Sequence, residues 1–169
     1  MAKRIKLTKG KYAIVDNDSF ELIKDYKWRA KKDKNTYYAY SRHRVDGKRK
    51  HIAMHRLIMN AQPRQIIDHI DKNGLNNKKS NLRFCNTSQN AANHHPRGKS
   101  KYLGVCPKLR KWKTRNGKEK SRQVWVAQLT MNYKRMFFKY FETEIESAKA
   151  YNEVAIKYHG KFANLNILK

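Results

Sequence analysis

Apolar residues along the chain come in short alternating runs separated by polar turns, and this predicts many strands and few helices. Residues 11–15 (KYAIV) read as a strand. Asp16-Asn17-Asp18-Ser19 reads as a turn, with Ser19 placed to cap a short helix through Asp25. Lys27–Ala30 and the tyrosine-rich Thr36–Arg42 are expected strands. Asp46-Gly47 is a hairpin turn signal that sends the chain back through Lys48–Met54. His55–Asn60 then reads as a short helix stopped before Pro63.

From Ile66 to Asn93 asparagine recurs at 73, 76, 77, 81, 86, 90 and 93. Asparagine competes with helix and strand through its own side-chain bonds, so a loop-rich segment is expected. It holds one short strand, Leu82–Cys85, and one helix, Ser88–Asn93, with Thr87 at its N-cap. Residues 94–101 (HHPRGKSK) combine Pro, Gly and basic groups and read as a linker. Beyond them Tyr102–Pro107, Val124–Met131 and Arg135–Tyr140 are expected strands, with Lys111–Ser121 as a long basic loop. Thr143 with Glu146 makes a capping box. Ala148, Tyr151, Ala155 and Tyr158 then share one helix face, and Gly160 is placed to end the helix.

Composition adds a partner. The 169 residues hold 40 Lys or Arg against 13 Asp or Glu, a formal net charge of +27. The excess is +10 over residues 1–50, +6 over 51–100 and +11 over 101–169, so it is not a basic tail on a neutral body. Self-repulsion of this size asks for an anionic partner, and its spread suggests an extended footprint on a phosphate backbone. Aromatic residues make up 11% of the chain, which argues against a disordered basic segment. No apolar run approaches the roughly 20 residues of a membrane span. The basic N-terminus, MAKRIKLTKGKY, has no apolar stretch, so a secretory signal is not expected and an intracellular location is. Cys85 and Cys106 form neither a disulfide framework nor a zinc knuckle.

One segment carries chemistry. Phosphodiester cleavage needs a divalent cation held by hard oxygen ligands and a base to deprotonate water. Asp68 and the amide oxygen of Asn90 supply such ligands, and His69 supplies a base that is neutral near physiological pH. Adjacent strand residues point to opposite faces, so Asp68 and His69 converge only if the strand ends there.

The words His55-Arg56-Leu57-Ile58, Asp68-His69-Ile70-Asp71-Lys72-Asn73-Gly74-Leu75-Asn76-Asn77, Ser80-Asn81-Leu82-Arg83 and Asn90 resemble the HNH family of endonucleases. They are most similar to its homing branch, in which Asn replaces the last histidine. The resemblance implies that His69 is the general base and that Asn81, twelve residues on, bridges the loop and orients it. It implies that Asp68 and Asn90 hold a single metal, Mg²⁺ or in substitution Mn²⁺. It implies a ββα-metal finger over residues 66–93. His55 matches a family position without a sharp role, and packing or a phosphate contact is expected of it. His94 and His95 are expected at phosphate, and Cys85 in the core.

A second resemblance covers residues 101–166. Tyr102-Leu103-Gly104-Val105, Trp125-Val126-Ala127, Phe141-Glu142-Thr143, Ala148-Lys149-Ala150-Tyr151-Asn152 and Ala163-Asn164-Leu165-Asn166 resemble the DNA-binding domain of the Apetala and ethylene-response-factor family. That family implies a three-stranded sheet in the major groove with a helix behind it. Trp125 and Arg135 carry over as base readers, whereas Leu103, Cys106 and Phe137 depart from the family pattern. Lys111, Lys113, Arg115 and Arg122 in the basic stretch, and Arg83 in the finger, are expected at phosphate. Lys24, Lys27, Arg29, Arg42 and Arg44 are further candidates by charge alone.

The expected fold is therefore α+β, with N-terminal strands (1–60) leading into the finger within a nuclease domain 1–93. A basic linker 94–101 and a DNA-binding domain 102–169 follow. The expected function is metal-dependent cleavage of double-stranded DNA by a monomer, nicking one strand per active site. The alternatives are a non-catalytic sequence-specific DNA-binding regulator and an RNA-binding or ribosomal protein.

Overall fold

The computed structural model of the chain describes residues 2–33, 36–45, 48–96 and 98–169. It is α+β, and it divides into two units, residues 1–90 and 91–169.

In the first unit β1 (Ala2–Lys6) pairs antiparallel with β2 (Tyr12–Asp16), and α1 (Asn17–Ile23) follows directly. Then β3 (Trp28–Asp33), β4 (Thr36–Val45) and β5 (Lys48–Ala53) form an antiparallel sheet in chain order. The Asp46-Gly47 turn lies outside the described residues. After α2 (Met54–Ile58), β6 (Ile66–His69) pairs with β7 (Leu82–Cys85), and α3 (Thr87–Ala92) closes the series. Alternation along β2 buries Ala13 and Val15. They pack with Ile23 of α1, Trp28 and Ala30 of β3, Ala39 of β4, Met54 and Ile58 of α2, and Leu82 of β7. The buried Trp28 indole donates to the Ile23 carbonyl at 2.9 Å, so the core carries this polar atom without an orphaned donor.

One strand goes beyond the expected elements, and two expected caps change. Strand β1 has little apolar alternation; its register against β2 and the packing of Ile5 on the core hold it. Ser19 does not cap α1 but lies fully buried within it, one turn before Ile23 on the inward face. Asp16 takes the N-cap position and turns its carboxylate to the Lys79 backbone N–H at 2.7 Å instead. Helix α3 is capped by Asn86, not Thr87. Asn86 Oδ1 accepts from the Gln89 N–H and Gln89 Oε1 accepts from the Asn86 N–H, a reciprocal box.

The second unit holds β8 (Val105–Lys113), β9 (Glu119–Met131) and β10 (Lys134–Phe141), antiparallel with β9 in the middle, and α4 (Glu144–His159). The expected loop 111–121 is instead a hairpin. Strands β8 and β9 stay paired out to Lys113 opposite Glu119, and only a short turn from Thr114 to Lys118 joins them. A ladder of backbone bonds needs no apolar alternation, so the basic composition hid it. Thr143 and Glu146 form the capping box expected of them, and Gly160 sits at the C-cap. Ala148, Tyr151 and Ala155 are buried, the last two against Leu103, Ala127 and Leu129. Asn166 bonds both the N–H and the carbonyl of Leu103, and Asn152 bonds both backbone groups of Asn166, so the C-terminal segment is tied to the sheet and the helix. At the end of the expected linker, Ser100 is buried. It donates to Glu144 Oε1 and accepts from the Tyr102 N–H. Among the described residues no helix is long and apolar enough to cross a membrane.

Candidate active site

Asp68 and His69 end strand β6, and both are buried. Consecutive strand residues face opposite sides, and the register separates them: Asp68 lies opposite Arg83, and His69 opposite Leu82. Arg83 Nε and Nη2 both donate to Asp68 Oδ2, at 2.9 and 2.8 Å. The guanidinium expected at DNA phosphate is thus turned onto the neighbouring carboxylate.

His69 faces the rest of the first unit. Its Nε2 lies 3.3 Å from Asn77 Oδ1. An amide oxygen only accepts, so Nε2 carries the proton and Nδ1 keeps its lone pair. The His55 ring meets the His69 ring edge-on at 5.1 Å between centroids, and the Tyr38 ring does so at 5.6 Å. Asn77 is fully buried, and its own N–H donates to the Ile14 carbonyl at 2.7 Å. Neither Asn77 nor the His55 contact follows from motif spacing. The run Asn76-Asn77 was a signal for the first, and the His55-Arg56-Leu57 word for the second.

The loop between β6 and β7 is a network of asparagines. Asn81 Nδ2 donates to Asp71 Oδ1 and to the Asn76 carbonyl, while Asn81 Oδ1 accepts from the Asp71 N–H. The Asn81 carbonyl accepts from Ile70 N–H. One side chain thereby ties both ends of the loop next to His69. Burial acts to raise the Asp71 carboxyl, but bonds from Asn76, the Asn73 backbone and Asn81 outweigh it and hold Asp71 below the usual carboxylate range. The loop also abuts β4. Gly74 N–H donates to Thr36 Oγ1, and a Cβ on Gly74 would meet the Tyr37 carbonyl and the Tyr38 ring at 2.6 Å. Only glycine allows that approach. Asn90 lies on α3 with its side chain exposed, so β6, β7 and α3 present a ββα order with Asp68 on the first strand and Asn90 on the helix.

Burial drives both histidines toward the neutral form. It lowers His69 below the ordinary imidazole value and, with His69 and Arg56 nearby, lowers His55 to about 3. Unfolding frees both rings to bind protons near the ordinary pKa of about 6.5. Between that pH and about 3 the unfolded chain binds more protons than the fold, so stability falls as pH falls through this window. Thermal melting of the first unit is expected to drop on acidification below about pH 6.5, and His55→Phe is expected to flatten the dependence. A melting temperature independent of pH there would contradict the burial of these rings as neutral groups.

In the second unit the register sorts the remaining candidates. Trp125 shares a face with Ala127 and Leu129 and packs against the buried Tyr102, Val105 and Ala148. It is on the helix side and unavailable to a ligand on the opposite face. That opposite face buries Val124 and Val126 and carries Arg135, exposed and stacked over Phe138 at 4.8 Å, and Arg122, exposed and paired with Glu142 at 2.8 Å. Arg110, opposite Arg122, and Trp112, opposite Lys120, share it; Arg110 lies in the basic stretch 108–122 expected at phosphate, and sequence reasoning missed Trp112. Lys111 and Lys113 lie on the other side of the protruding hairpin and Arg115 in its turn, all exposed. In the expected linker, His95 is exposed, and the His94 carbonyl accepts from Asn164 Nδ2.

No family model matches the chain, and no solved structure matches it. Among curated proteins it is similar to an uncharacterised HNH endonuclease of Acanthamoeba polyphaga mimivirus, 31% identical over 164 residues that span 94% of this chain and 76% of the relative. With a buried Asp-His pair closing the first strand of a ββα unit, and similarity running over nearly the whole chain, the protein belongs to the HNH endonuclease family.

Proposed function

We propose that the protein is a metal-dependent DNA endonuclease of the homing type that hydrolyses phosphodiester bonds, nicking one strand at each active site and acting as a monomer. The observation that carries this reading is the His69 imidazole, held at Nε2 by Asn77 and flanked by the rings of His55 and Tyr38 beside the Asn81-clasped loop. With the proton on Nε2, Nδ1 is the atom that takes a proton from water. The water oxygen then bonds to phosphorus as the bond from phosphorus to the 3′ oxygen breaks, and the departing oxygen takes a proton from solvent, leaving 5′-phosphate and 3′-hydroxyl ends. Asn77 fixes the tautomer, and Asn81 fixes the loop that carries the site.

Among the described residues there is no cluster of three or more His, Cys, Asp or Glu to cage a metal. The donor set Asp68 and Asn90 is all oxygen and small, which fits a hard cation such as Mg²⁺ that draws most of its shell from water and phosphate. Bound there, such a cation would neutralise phosphate charge and stabilise the leaving 3′ oxygen. Incubation of supercoiled plasmid with the protein and Mg²⁺ is expected to give open circles, and EDTA to stop it. A plasmid left supercoiled in Mg²⁺ would favour instead the DNA-binding regulator, a reading consistent with the Asp68–Arg83 ion pair. Asp68→Asn and Asn90→Ala are expected to raise the metal concentration needed for half-maximal nicking, Asp68→Asn more because it removes the charge. Mn²⁺ is expected to rescue Asn90→Ala in part. Unchanged metal dependence in both variants would remove these residues from the metal.

The second unit supports site choice. Its sheet backed by one helix has the arrangement implied by the Apetala and ethylene-response-factor resemblance, with Arg110, Arg122 and Arg135 exposed on the face away from the helix. Lys111, Lys113 and Arg115 on the protruding hairpin would contact phosphate and position the duplex.

A further inference from the structure

We infer that the outward face of the β3–β4–β5 sheet is a track that seats the sugar-phosphate backbone of DNA and leads it to His69; the approach to His69 rests on the nuclease reading, the seating of DNA does not. Strand alternation divides this sheet in two. Trp28, Ala30, Ala39 and Ser41 are buried on the inner face, where the core cluster of the first unit lies. The pairs Arg29–Tyr40, Lys31–Tyr38 and Arg42–His51 fall on the outer face. There Arg29, Lys31, Arg42 and His51 are exposed. No carboxylate forms an ion pair with Arg29, Lys31 or Arg42 among the described residues.

Two features give the face a direction. Tyr40 and Tyr38 stand two residues apart on β4 with their rings 6.4 Å apart edge-on, and Lys31 Nζ lies over Tyr40. Tyr38 is also the ring that flanks His69. The basic and aromatic face therefore runs from Arg42 and His51, past Tyr40 and Arg29, to Tyr38 and the imidazole, with Asp33 as the one carboxylate on this face that acts on both tyrosines among the described residues. Gly74 holds the active-site loop against this same strand, so the face and the site belong to one packed body. Unpaired cations beside ring faces suit a strand of phosphates and sugars, and an exposed basic face in a chain of net charge +27 has its electrostatic complement in DNA.

The test compares two triple variants of the full chain with equal loss of charge. Arg29→Gln/Lys31→Gln/Arg42→Gln strips the track; Lys6→Gln/Lys9→Gln/Lys11→Gln strips exposed cations from β1 and the turn that follows it. Binding to a short fluorescein-labelled duplex of arbitrary sequence is measured by anisotropy in EDTA across a salt series, so that no cleavage enters the readout. The track variant is expected to flatten the slope of log K against log salt by about 2.7, at about 0.9 for each of three phosphate contacts. The control is expected to keep the wild-type slope. In nicking assays with Mg²⁺ the track variant is expected to raise KM and leave kcat at saturating DNA unchanged. A track variant with the wild-type slope, or a control that loses as much, overturns the proposal. Should the wild type bind with this pattern yet never nick, the nuclease reading fails while the sheet face stands as a DNA surface.

Discussion

Replacing His69 by alanine is expected to slow nicking by about 10²- to 10⁴-fold, the usual loss for a general base, while leaving DNA affinity nearly intact. The imidazole is buried and neutral, so it adds no net positive charge to the phosphate footprint. Its removal takes away the acceptor for the water proton and leaves the basic surfaces unchanged. Asn77→Ala is expected to lie between wild type and His69→Ala in rate. It frees the ring to choose the wrong tautomer, and it also removes a fully buried side chain that bonds His69. Because burial lowers the His69 pKa, the wild-type rate is expected to rise with pH and to level off below the ordinary imidazole value of about 6.5. Plasmid nicking under single-turnover conditions, paired with anisotropy in EDTA, separates the two effects. Wild-type cleavage by His69→Ala would place the base elsewhere.

The parts of this site legible in sequence are those joined by short spacings. Asp68-His69, the asparagine loop and Leu82–Cys85 lie within a hairpin whose register follows once its strands are placed. What escaped are partners brought in by tertiary packing. His55 reaches His69 from α2 and Tyr38 from β4, and no local period joins them to residue 69. Asn77 looked like one loop asparagine among several, yet it alone is fully buried with its oxygen on the imidazole. By charge alone Arg83 points to an external phosphate, but its cross-strand neighbour is a carboxylate. In the second unit the misreadings come from polar strands. The hairpin beyond Arg110 is held by backbone pairing, which leaves no apolar trace, and without its register the side on which Trp125 stands could not be assigned. Helix α4 was plain because its cap and its buried stripe are both encoded locally.

Gly104→Ala is expected to unfold the second unit selectively. Gly104 precedes β8 with a φ of +66°, a conformation that disfavours a side chain by about 1 kcal/mol or more. The larger obstacle is space. A Cβ there would lie 2.1 Å from Tyr151 Cδ2 and 2.6 Å from the Gln128 carbonyl oxygen. Tyr151 is buried against Leu103, Ala127 and Leu129, and Gln128 belongs to the central strand, so neither yields without opening the sheet–helix contact. Overpacking of this kind typically costs about 1–3 kcal/mol, and with the backbone term the total is about 2–4 kcal/mol. For a unit of this size that corresponds to a fall of about 10–30 °C in Tm. The first unit has its own core, around Val15, Ile23 and Met54, and is expected to keep its transition and its nicking in Mg²⁺ at low salt. Binding is expected to weaken, because the exposed arginines of the second sheet lose their arrangement. Nicks mapped along a plasmid by sequencing are expected to spread over more sites than with wild type. An unchanged melting profile would contradict the close approach at Gly104. A lowered transition with the wild-type nick pattern would move sequence choice out of residues 102–169, and the function implied by the Apetala and ethylene-response-factor resemblance would fall with it.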